Sequence, residues 1–297
     1  MRGIVLAGGS GTRLRPLTTI HSKHLLPVYD KPMIHYPLAV LMLTGIREIL
    51  LISNPEHLGA YRTLLGDGRD IGISLSYAAQ ERPGGLAEAL LLGREFIADQ
   101  PICLILGDNI FYGHRLPGLL REEAKRLDGC TLFGYRVSDP RRYGVATVNA
   151  AGDVLSLEEK PERPRSNLAV TGLYMYGKGV ADRAARLTPS ARGELEITDL
   201  NLQYVHERRA RLVDLGRGTA WFDAGTHDSL LEAAMFVQAL EKRQGIRISC
   251  IEEVAYRMGY IDRDQLHLLG KELSIGSEYG RYIADVADEC TVPADFS

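Results

Sequence analysis

The amino-acid sequence predicts an α/β fold: a doubly wound, mostly parallel Rossmann-like sheet with a β-rich insertion and C-terminal helices. Two observations lead to this prediction. Short apolar runs, typical of parallel strands buried on both faces, alternate with helical segments over about the first 130 residues. Strand-like segments then follow one another directly before the helical pattern returns. The 297 residues are 45% apolar and 25% charged, which is the composition of a folded globular chain.

The first part of the chain is predicted to alternate between strands and helices. The predicted strands are 4–7, 49–53, 75–78 and 102–106. A helix is predicted over 30–44, because Asp30 can cap it, Pro32 suits its first turn and Gly45 can close its C-terminus. This order of elements is typical of a parallel sheet covered by helices.

The second part begins with a β-rich insertion and ends in helices. The predicted elements are strands 131–137, 143–148, 154–158 and 169–176, a helix over 197–209, a strand over 211–215 and a helix over 228–243. Residues 150–153 have hairpin chemistry. Thr226 or Asp228 can cap the last helix, and Gly245 can end it. We interpret these elements as one sheet with an insertion that covers its carboxyl edge, not as two independent domains.

Charge and composition exclude several classes of partner and compartment. The net charge of −3 and the absence of a basic block argue against binding to nucleic acid. No run approaches the roughly 18 apolar residues of a membrane span, and no signal peptide is recognisable. The four cysteines are Cys103, Cys130, Cys250 and Cys290, and their spacing does not suit zinc. We therefore expect a cytoplasmic protein with reduced thiols and no membrane partner.

A glycine-rich loop directly follows the first predicted strand. In Gly8-Gly9-Ser10-Gly11-Thr12-Arg13, the glycines let backbone N–H groups approach an anion, and Thr12 and Arg13 add donors. The loop lacks the lysine of a Walker A motif, and Leu14 replaces the third glycine of a dinucleotide fingerprint. A tight strand-to-helix turn is the alternative. Arg13, Arg15 and Lys23 together favour a triphosphate site over a bare turn.

Two aspartates stand where apolar strands end. Asp108 follows the run 102–106 and Gly107, and Asp223 follows Ala220-Trp221-Phe222. Ligands bind outside the carboxyl ends of strands in open α/β sheets, and two carboxylates there suit one Mg²⁺ ion that is also held by substrate phosphates. A helix cap or a turn is the alternative for each aspartate.

Several polar residues beside glycines are weaker candidates. Glu159 and Lys160 end a predicted hairpin strand, where they could bind a sugar and a phosphate or could simply face solvent. The segments Tyr143-Gly144 and Val170-Thr171-Gly172 place a glycine in a strand, which indicates a close ligand or a bulge. Gln80, before Pro83-Gly84-Gly85, can offer a donor and an acceptor to a base edge, or can be an ordinary polar strand end.

Taken together, these motifs resemble those of the sugar nucleotidyltransferases, and more narrowly those of the short bacterial glucose-1-phosphate thymidylyltransferases. The motifs are Leu6-Ala7-Gly8-Gly9-Ser10-Gly11-Thr12-Arg13-Leu14, Ser22-Lys23-His24-Leu25-Leu26-Pro27, Gly107-Asp108-Asn109, Tyr143-Gly144-Val145, Glu158-Glu159-Lys160-Pro161, Arg192-Gly193-Glu194-Leu195-Glu196-Ile197-Thr198-Asp199 and Trp221-Phe222-Asp223-Ala224-Gly225-Thr226-His227-Asp228. Because many motifs occur in one order over residues 2 to 285, the resemblance is more specific than any single motif. It implies a nucleotide-diphospho-sugar transferase-like fold.

The resemblance implies transfer of a thymidylyl group from dTTP to α-D-glucose 1-phosphate, which gives dTDP-glucose and pyrophosphate with Mg²⁺ as cofactor. The implied catalytic residues are Arg13, Lys23, Asp108, Lys160 and Asp223, of which Asp108 and Asp223 would hold the metal. The implied nucleotide-binding residues are Leu6, Gly8, Gly9, Ser10, Gly11, Thr12, Arg13, Gln80, Pro83, Gly85 and Asp108. The implied sugar-phosphate-binding residues are Tyr143, Gly144, Glu159, Lys160, Val170, Thr171, Gly172 and Arg192.

The resemblance also implies an organisation for the whole chain. Residues 1–297 would form a single nucleotidyltransferase domain, with a nucleotide-binding half over about 1–130 and a sugar-binding half over about 131–227. Residues from about 228 to 297 would form a helical region for oligomerisation and regulation, with a homotetramer as the implied assembly. Regulation by the end product at a second site is also implied.

The sequence departs from the usual family pattern at four positions, and alternatives remain open. His24 stands where Gln is usual, Phe222 and Ala224 flank Asp223 where Leu and Thr are commoner, and Gly84 replaces a frequent Asp. A uridylyltransferase, or another sugar 1-phosphate specificity on the same scaffold, is the nearest alternative. A non-catalytic nucleotide-sugar sensor is a remote one, and the incomplete fingerprint disfavours a nicotinamide dehydrogenase.

Overall fold

The structure is a computed structural model and describes residues 1–289. Its strands are β1 (Arg2–Ala7), β2 (Pro27–Val28), β3 (Lys31–Pro32), β4 (Glu48–Ser53), β5 (Ser74–Ala79), β6 (Ile102–Leu106), β7 (Asn109–Tyr112), β8 (Cys130–Arg136), β9 (Gly144–Val148), β10 (Val154–Glu159), β11 (Leu168–Tyr176), β12 (Ala210–Asp214) and β13 (Ala220–Asp223). Its α-helices are α1 (His35–Leu43), α2 (Pro55–Leu65), α3 (Glu88–Leu92), α4 (Arg94–Ile97), α5 (Leu116–Arg126), α6 (Val180–Ala184), α7 (Ile197–His206), α8 (His227–Gln244), α9 (Ile251–Arg257), α10 (Arg263–Leu273) and α11 (Glu278–Asp288).

A mixed central sheet runs through residues 1–289 and contains nine strands there. Strands β5, β4, β1 and β6 are parallel neighbours, and β11 pairs antiparallel with β6 and carries the sheet on to β9 and β10. Strand β8 pairs with β11, and β12 adds a parallel strand to β8. The β-rich insertion therefore extends the sheet sideways. Residues at the ends of β9 and β10 also lie beside the carboxyl ends of β1 and β6, which is the edge that the insertion is predicted to cover.

Strand β1 shows why the predicted strands are continuous apolar runs. Val5 and Ala7 pack into a core that includes α1 and α9, whereas Ile4 and Leu6 pack into a second core that includes α3 and α7. Successive side chains of a strand point to opposite faces, so a strand covered on both faces needs apolar residues throughout. This arrangement confirms the predicted α/β sheet with helices on both faces.

The prediction of a helix over 30–44 was wrong at its start. Helix α1 begins at His35, because Lys31 and Pro32 form β3 and pair with β2 in a short hairpin. Asp30 does not cap a helix: its Oδ2 accepts a hydrogen bond from Arg247 Nη1 at 2.6 Å. Lys31 is almost fully buried, and its Nζ donates to Glu241 Oε1 at 3.0 Å. A buried ion network with the end of α8 thus replaces the local cap.

The ends of the later helices agree in part with the sequence analysis. Helix α7 stops at His206 instead of 209, because Arg208 adopts a left-handed backbone with φ 56°. Helix α8 is capped by Thr226, whose side chain accepts from the Ser229 N–H, and it ends at Gly245 in a left-handed conformation. Of the two residues predicted as possible caps, Thr226 is the cap and Asp228 lies in the first turn, and the predicted end at Gly245 is confirmed.

Two further expectations concern cysteines and membranes. Cys103, Cys130 and Cys250 are free and buried, and Cys290 lies outside the described residues. Among the described residues, no helix combines the length and the apolar character that a bilayer span requires.

Candidate active site

A cleft of about 730 Å³ opens where β1 and β6 end. These strands are parallel neighbours, so the residues that follow them, Gly8 and Asp108, lie side by side. Most of the predicted site residues line this cleft: Leu6, Gly8, Gly9, Arg13, Lys23, Gln80, Pro83, Gly85, Asp108, Tyr143, Gly144, Glu159, Lys160, Val170, Gly172, Arg192 and Asp223. The fold thus brings into one cleft residues that lie more than 200 positions apart in the sequence.

Asp108 lies at the floor of the cleft in an ion pair. It is 7% exposed, and Lys23 Nζ bonds to its Oδ2. Burial alone would raise the pKa of the Asp108 carboxyl, but the Lys23 ammonium and the Asn109 amide outweigh burial and hold that pKa well below its usual range. Asp108 is therefore ionised at neutral pH and carries a fixed negative charge.

Asp223 lies next to Asp108, but nearby positive charge offsets the effect of burial less completely at Asp223. It pairs with Asn109 across the ladder of β13 and β7, and the Ala224 N–H donates to the Asp108 carbonyl at 3.0 Å. Burial, and then the Asp108 carboxylate, raise the pKa of Asp223, while Lys23 and Arg13 only partly offset this rise. The Arg13 guanidinium lies against Gly225, where a Cβ would come within 2.9 Å of Nη2. Two carboxylates, those of Asp108 and Asp223, thus lie close to two cations, Lys23 and Arg13.

Asn109 connects the elements around these carboxylates. Its Nδ2 donates to Asp108 Oδ1 at 3.0 Å, and its Oδ1 accepts from Trp221 Nε1 at 2.6 Å and from the Gly172 N–H at 2.9 Å. The Trp221 ring in turn packs on the Tyr143 ring with centroids 5.1 Å apart. One buried amide therefore fixes β7, β11 and β13 relative to one another beside Asp108.

Glu159 and Lys160 lie at the end of β10, which three strands separate from β1 in the central sheet, so they line the cleft on the side opposite the glycine-rich loop. Glu159 Oε2 accepts from Thr198 Oγ1 at 2.7 Å, and Glu159 Oε1 lies 3.0 Å from Lys160 Nζ. Lys160 adopts a left-handed backbone with φ 43°, which is costly for a residue with a Cβ and is typical of functional sites. Its side chain keeps 52% exposure. A fixed carboxylate and a reachable ammonium thus face the cleft together.

Arg192 stands at the rim of the same wall. Its Nη2 donates to Glu196 Oε1 at 2.8 Å, and its side chain is about half exposed. The guanidinium can therefore reach an anionic ligand in the cleft while Glu196 holds it in place.

Gln80 also lines the cleft, and its amide N–H groups already donate hydrogen bonds within the protein. Its Nε2 donates to Glu88 Oε2 at 2.7 Å and lies 3.4 Å from the Gly85 carbonyl. Its Oε1 lies against Gly8, where a Cβ would come within 2.4 Å. The expectation that Gln80 offers both a donor and an acceptor to a base is therefore too broad, because the N–H groups already have partners within the protein.

Four predicted residues do not line the cleft. Ser10, Gly11 and Thr12 continue the glycine-rich loop away from it, and Thr18 Oγ1 binds the Gly11 carbonyl at 2.7 Å. Thr171 is fully buried and donates to the Phe133 carbonyl at 2.9 Å. Side chains alternate along β11, so Val170 and Gly172 face the cleft and Thr171 faces the opposite side.

The cleft also contains residues that the sequence analysis did not assign to the site. Among them are Asn109, Arg141, Arg142, Tyr174, Glu194, Glu196, Thr198, Asn201 and Trp221. The Arg142 guanidinium lies 5.7 Å from the centroid of the Tyr143 ring and adds positive charge near Asp223. A cation directly before Tyr143-Gly144 was the one local signal that could have identified it.

His24, the departure noted beside Lys23, also lines the cleft. Its Nδ1 lies 3.1 Å from Ser22 Oγ, and the ring is almost fully buried. Burial, and then the Lys23 ammonium, lower the pKa of His24 to about 3. The ring is therefore neutral at physiological pH and adds hydrogen-bonding capacity to the cleft without adding charge.

The family model described as Nucleotidyl transferase matches residues 2–239. The chain is 54% identical over 286 residues to the glucose-1-phosphate thymidylyltransferase of Xanthomonas campestris pv. campestris, which covers 96% of this chain and 97% of that protein. It is 51% identical over 288 residues to the one of Mycolicibacterium smegmatis, which covers 97% of this chain and 99% of that protein.

Solved structures agree with this fold. A Bacillus anthracis protein described as a glucose-1-phosphate thymidylyltransferase, crystallised with sucrose, superimposes with a TM-score of 0.74 at 40% identity, covering 80% of this chain and 94% of that one. A UDP-glucose pyrophosphorylase complexed with UDP-glucose gives a TM-score of 0.69 at 24% identity, covering 82% of this chain and 99% of that one, which supports the fold alone. The chain belongs to the nucleotidyl transferase family and, within it, to the glucose-1-phosphate thymidylyltransferases.

Proposed function

We propose that this protein transfers a thymidylyl group from dTTP to α-D-glucose 1-phosphate, giving dTDP-glucose and pyrophosphate. The observation that carries the proposal is the cleft itself, in which a glycine-rich loop with Arg13 and Lys23 faces Glu159 and Lys160 across Asp108 and Asp223. This arrangement suits a triphosphate on one side and a sugar phosphate on the other. Relatives more than 50% identical over nearly the whole chain bear the name of this activity.

The residues of the cleft can promote this reaction without a covalent intermediate. A phosphate oxygen of glucose 1-phosphate would attack the α-phosphorus of dTTP in line, and pyrophosphate would leave. Lys160 would bind the attacking phosphate, and Glu159 would accept hydrogen bonds from the glucose hydroxyls. Arg13 and Lys23 would neutralise the charge that develops on the leaving group. Catalysis then consists of positioning and charge neutralisation.

The pair Asp108 and Asp223 fits a divalent cation. The pKa of Asp223 is raised by burial and by the Asp108 carboxylate, so a cation held by these two residues would relieve repulsion that Lys23 and Arg13 only partly offset. Among the described residues, no group of three or more His, Cys, Asp or Glu side chains could hold a metal. Mg²⁺ suits such a site, because it is commonly bound by one or two carboxylates together with substrate phosphates. When bound, the ion would neutralise phosphate charge during transfer.

Removal of divalent metal should abolish activity. An excess of EDTA is expected to reduce pyrophosphate release to background, and added Mg²⁺ should restore it, because an ion held by Asp108 and Asp223 would neutralise charge on the phosphates during transfer. Pyrophosphate release in the presence and absence of EDTA checks this expectation. Full activity in EDTA after prior dialysis against chelator would exclude a metal at Asp108 and Asp223.

Replacing Gln80 should weaken base selection. We expect Gln80→Ala to lower the preference for dTTP over other nucleoside triphosphates by about tenfold, because the variant loses a hydrogen bond to the base edge. The measurement is kcat/KM for each nucleotide at saturating glucose 1-phosphate. Gln100→Ala, at an exposed position, is the matched control. Unchanged relative kcat/KM values in Gln80→Ala would remove Gln80 from the base site.

The experiment that tests the proposed function compares nucleotides directly. Pyrophosphate release is measured with Mg²⁺, glucose 1-phosphate and each of dTTP, UTP, CTP, ATP and GTP. The fastest release with dTTP supports thymidylyl transfer. Better turnover with UTP would make the protein a uridylyltransferase, and no release with any nucleotide would favour a sensor of nucleotide sugars.

The proposal also covers the domain organisation, the oligomeric state and the cellular compartment of the enzyme. We infer a single catalytic domain, because β11 joins the proposed nucleotide-binding and sugar-binding halves within one sheet. We further propose a cytoplasmic homo-oligomer, with a tetramer as the expected form. Leu231 and Met235 on α8 are each 60% exposed and would be covered in such an assembly.

A further inference from the structure

Glu88 holds the amide of Gln80 from outside the cleft. Gln80 lines the cleft and is 6% exposed, whereas Glu88 begins α3 and does not line the cleft. The two side chains meet through the 2.7 Å bond from Gln80 Nε2 to Glu88 Oε2. The second N–H of the same amide faces the Gly85 carbonyl at 3.4 Å.

This contact fixes which end of the Gln80 amide is available to a ligand. An ionised carboxylate can only accept hydrogen bonds, so the atom of Gln80 that faces Glu88 must be the NH₂ group. With both N–H bonds directed at Glu88 and Gly85, the amide retains only its Oε1 acceptor for a ligand. The Oε1 atom lies on the Gly8 side of the amide, next to the glycine-rich loop.

Gly84 gives Glu88 the space to make this contact. A Cβ at position 84 would come within 2.3 Å of the carboxylate atoms of Glu88, so any larger residue there would have to displace that carboxylate. The glycine at position 84, one of the departures from the usual family pattern, is therefore coupled to the position of Glu88. Gly84 thus leaves room for the carboxylate that accepts the hydrogen bond from Gln80.

We propose that Glu88 is a positioning residue that determines base specificity by fixing Gln80 as a hydrogen-bond acceptor. This inference rests on the proposed function, in which Gln80 contacts the base. Thymine has an N–H at ring position 3, which an acceptor can bind, whereas cytosine has an acceptor at that position. The fixed Oε1 therefore favours thymine and places two acceptors against each other when cytosine enters.

The test compares dTTP with dCTP in variants of Glu88. Glu88→Met has a side chain of similar length without an acceptor, so the Gln80 amide is free to turn and offer its NH₂ group to cytosine. We expect the ratio of kcat/KM for dTTP to that for dCTP to fall about tenfold, mainly because dCTP is used better. Glu88→Gln retains an acceptor oxygen and should lie between Glu88→Met and the unchanged protein.

A second variant and a control separate a change in the orientation of the Gln80 amide from a loss of protein stability. Gly84→Ala should displace the Glu88 carboxylate without removing its charge and should lower the dTTP to dCTP ratio in the same direction. Glu81→Met, at an exposed position of the same loop, should leave the ratio unchanged. Thermal unfolding of all variants checks that they are folded.

Each outcome decides a different question. A fall in kcat/KM of equal size for dTTP and dCTP would show that Glu88 is only structural and would overturn the inference. An unchanged ratio in Glu88→Met, with dTTP still used selectively, would also overturn the inference and leave the proposed function intact. No turnover of dTTP by the unchanged protein would overturn both.

Discussion

Asp223→Asn should lower kcat by about 100- to 1,000-fold while the KM for dTTP changes little. The expectation follows from the place of Asp223, which stands beside Asp108 and Arg13 where the transferring phosphate would lie. Loss of one carboxylate would weaken the hold on Mg²⁺, whose charge stabilisation in the transition state amounts to several kcal/mol, or about two to three powers of ten in rate. The measurement is steady-state pyrophosphate release over a range of dTTP and Mg²⁺ concentrations.

Loss of folding should not obscure this result. Burial and the neighbouring Asp108 raise the pKa of Asp223, so ionising this carboxyl costs more in the folded protein than in the unfolded chain, and a neutral asparagine removes that cost. The midpoint of thermal unfolding should therefore stay the same or rise. Asp228→Asn, an exposed carboxylate five residues further on, is the matched control. A kcat near that of the unchanged protein would remove Asp223 from the catalytic site.

Lys160→Met should lower kcat/KM for glucose 1-phosphate by about 100-fold. The ammonium lies 3.0 Å from Glu159 on the wall opposite the glycine-rich loop, where it can bind the attacking phosphate. Without this ammonium, a phosphate dianion must approach a triphosphate of the same sign with one cation fewer to offset the repulsion, so both binding and turnover should decrease. Initial rates over a range of glucose 1-phosphate concentrations, at saturating dTTP, separate KM from kcat.

Two further lysine variants test whether the loss of activity in Lys160→Met comes from the loss of its charge. Lys160→Arg retains the charge and should recover part of the activity, whereas Lys178→Met removes an exposed lysine elsewhere and should have no effect. The Lys160 side chain is half exposed, so its loss should change the unfolding midpoint little. If Lys160→Met raised KM for dTTP and left glucose 1-phosphate unaffected, the assignment of the two substrates to the two walls would be wrong.

The sheet could be predicted because its strands carry their own signals. Strands β1 and β6 are continuous apolar runs that end at glycines, and burial on both faces requires such runs. The start of α1 could not be predicted in the same way. Asp30 looks like a cap in the sequence, but its partner Arg247 lies 217 positions further along the chain. A local pattern contains no information on such a contact.

In the candidate site, residues at the ends of strands could be predicted from the sequence, whereas the contacts that hold them could not. Gly8, Asp108 and Asp223 were identified because each follows the end of an apolar strand, and the fold then brings those ends together. The second layer of contacts was not predicted: Asn109 joins three strands through one amide, and Thr198 holds Glu159 from 39 positions away. Thr171 shows the opposite case, because the motif includes it while strand alternation turns its side chain away from the cleft.

In the proposed reaction, an oxygen of glucose 1-phosphate attacks the α-phosphorus of dTTP in this cleft. The most direct measurement uses glucose 1-phosphate labelled with ¹⁸O at its three non-bridging phosphate oxygens, with unlabelled dTTP, Mg²⁺ and the unchanged protein. Mass spectrometry of the products should find all of the label in dTDP-glucose and none in pyrophosphate. Label in pyrophosphate, or the absence of dTDP-glucose while dTTP is consumed, would contradict this account.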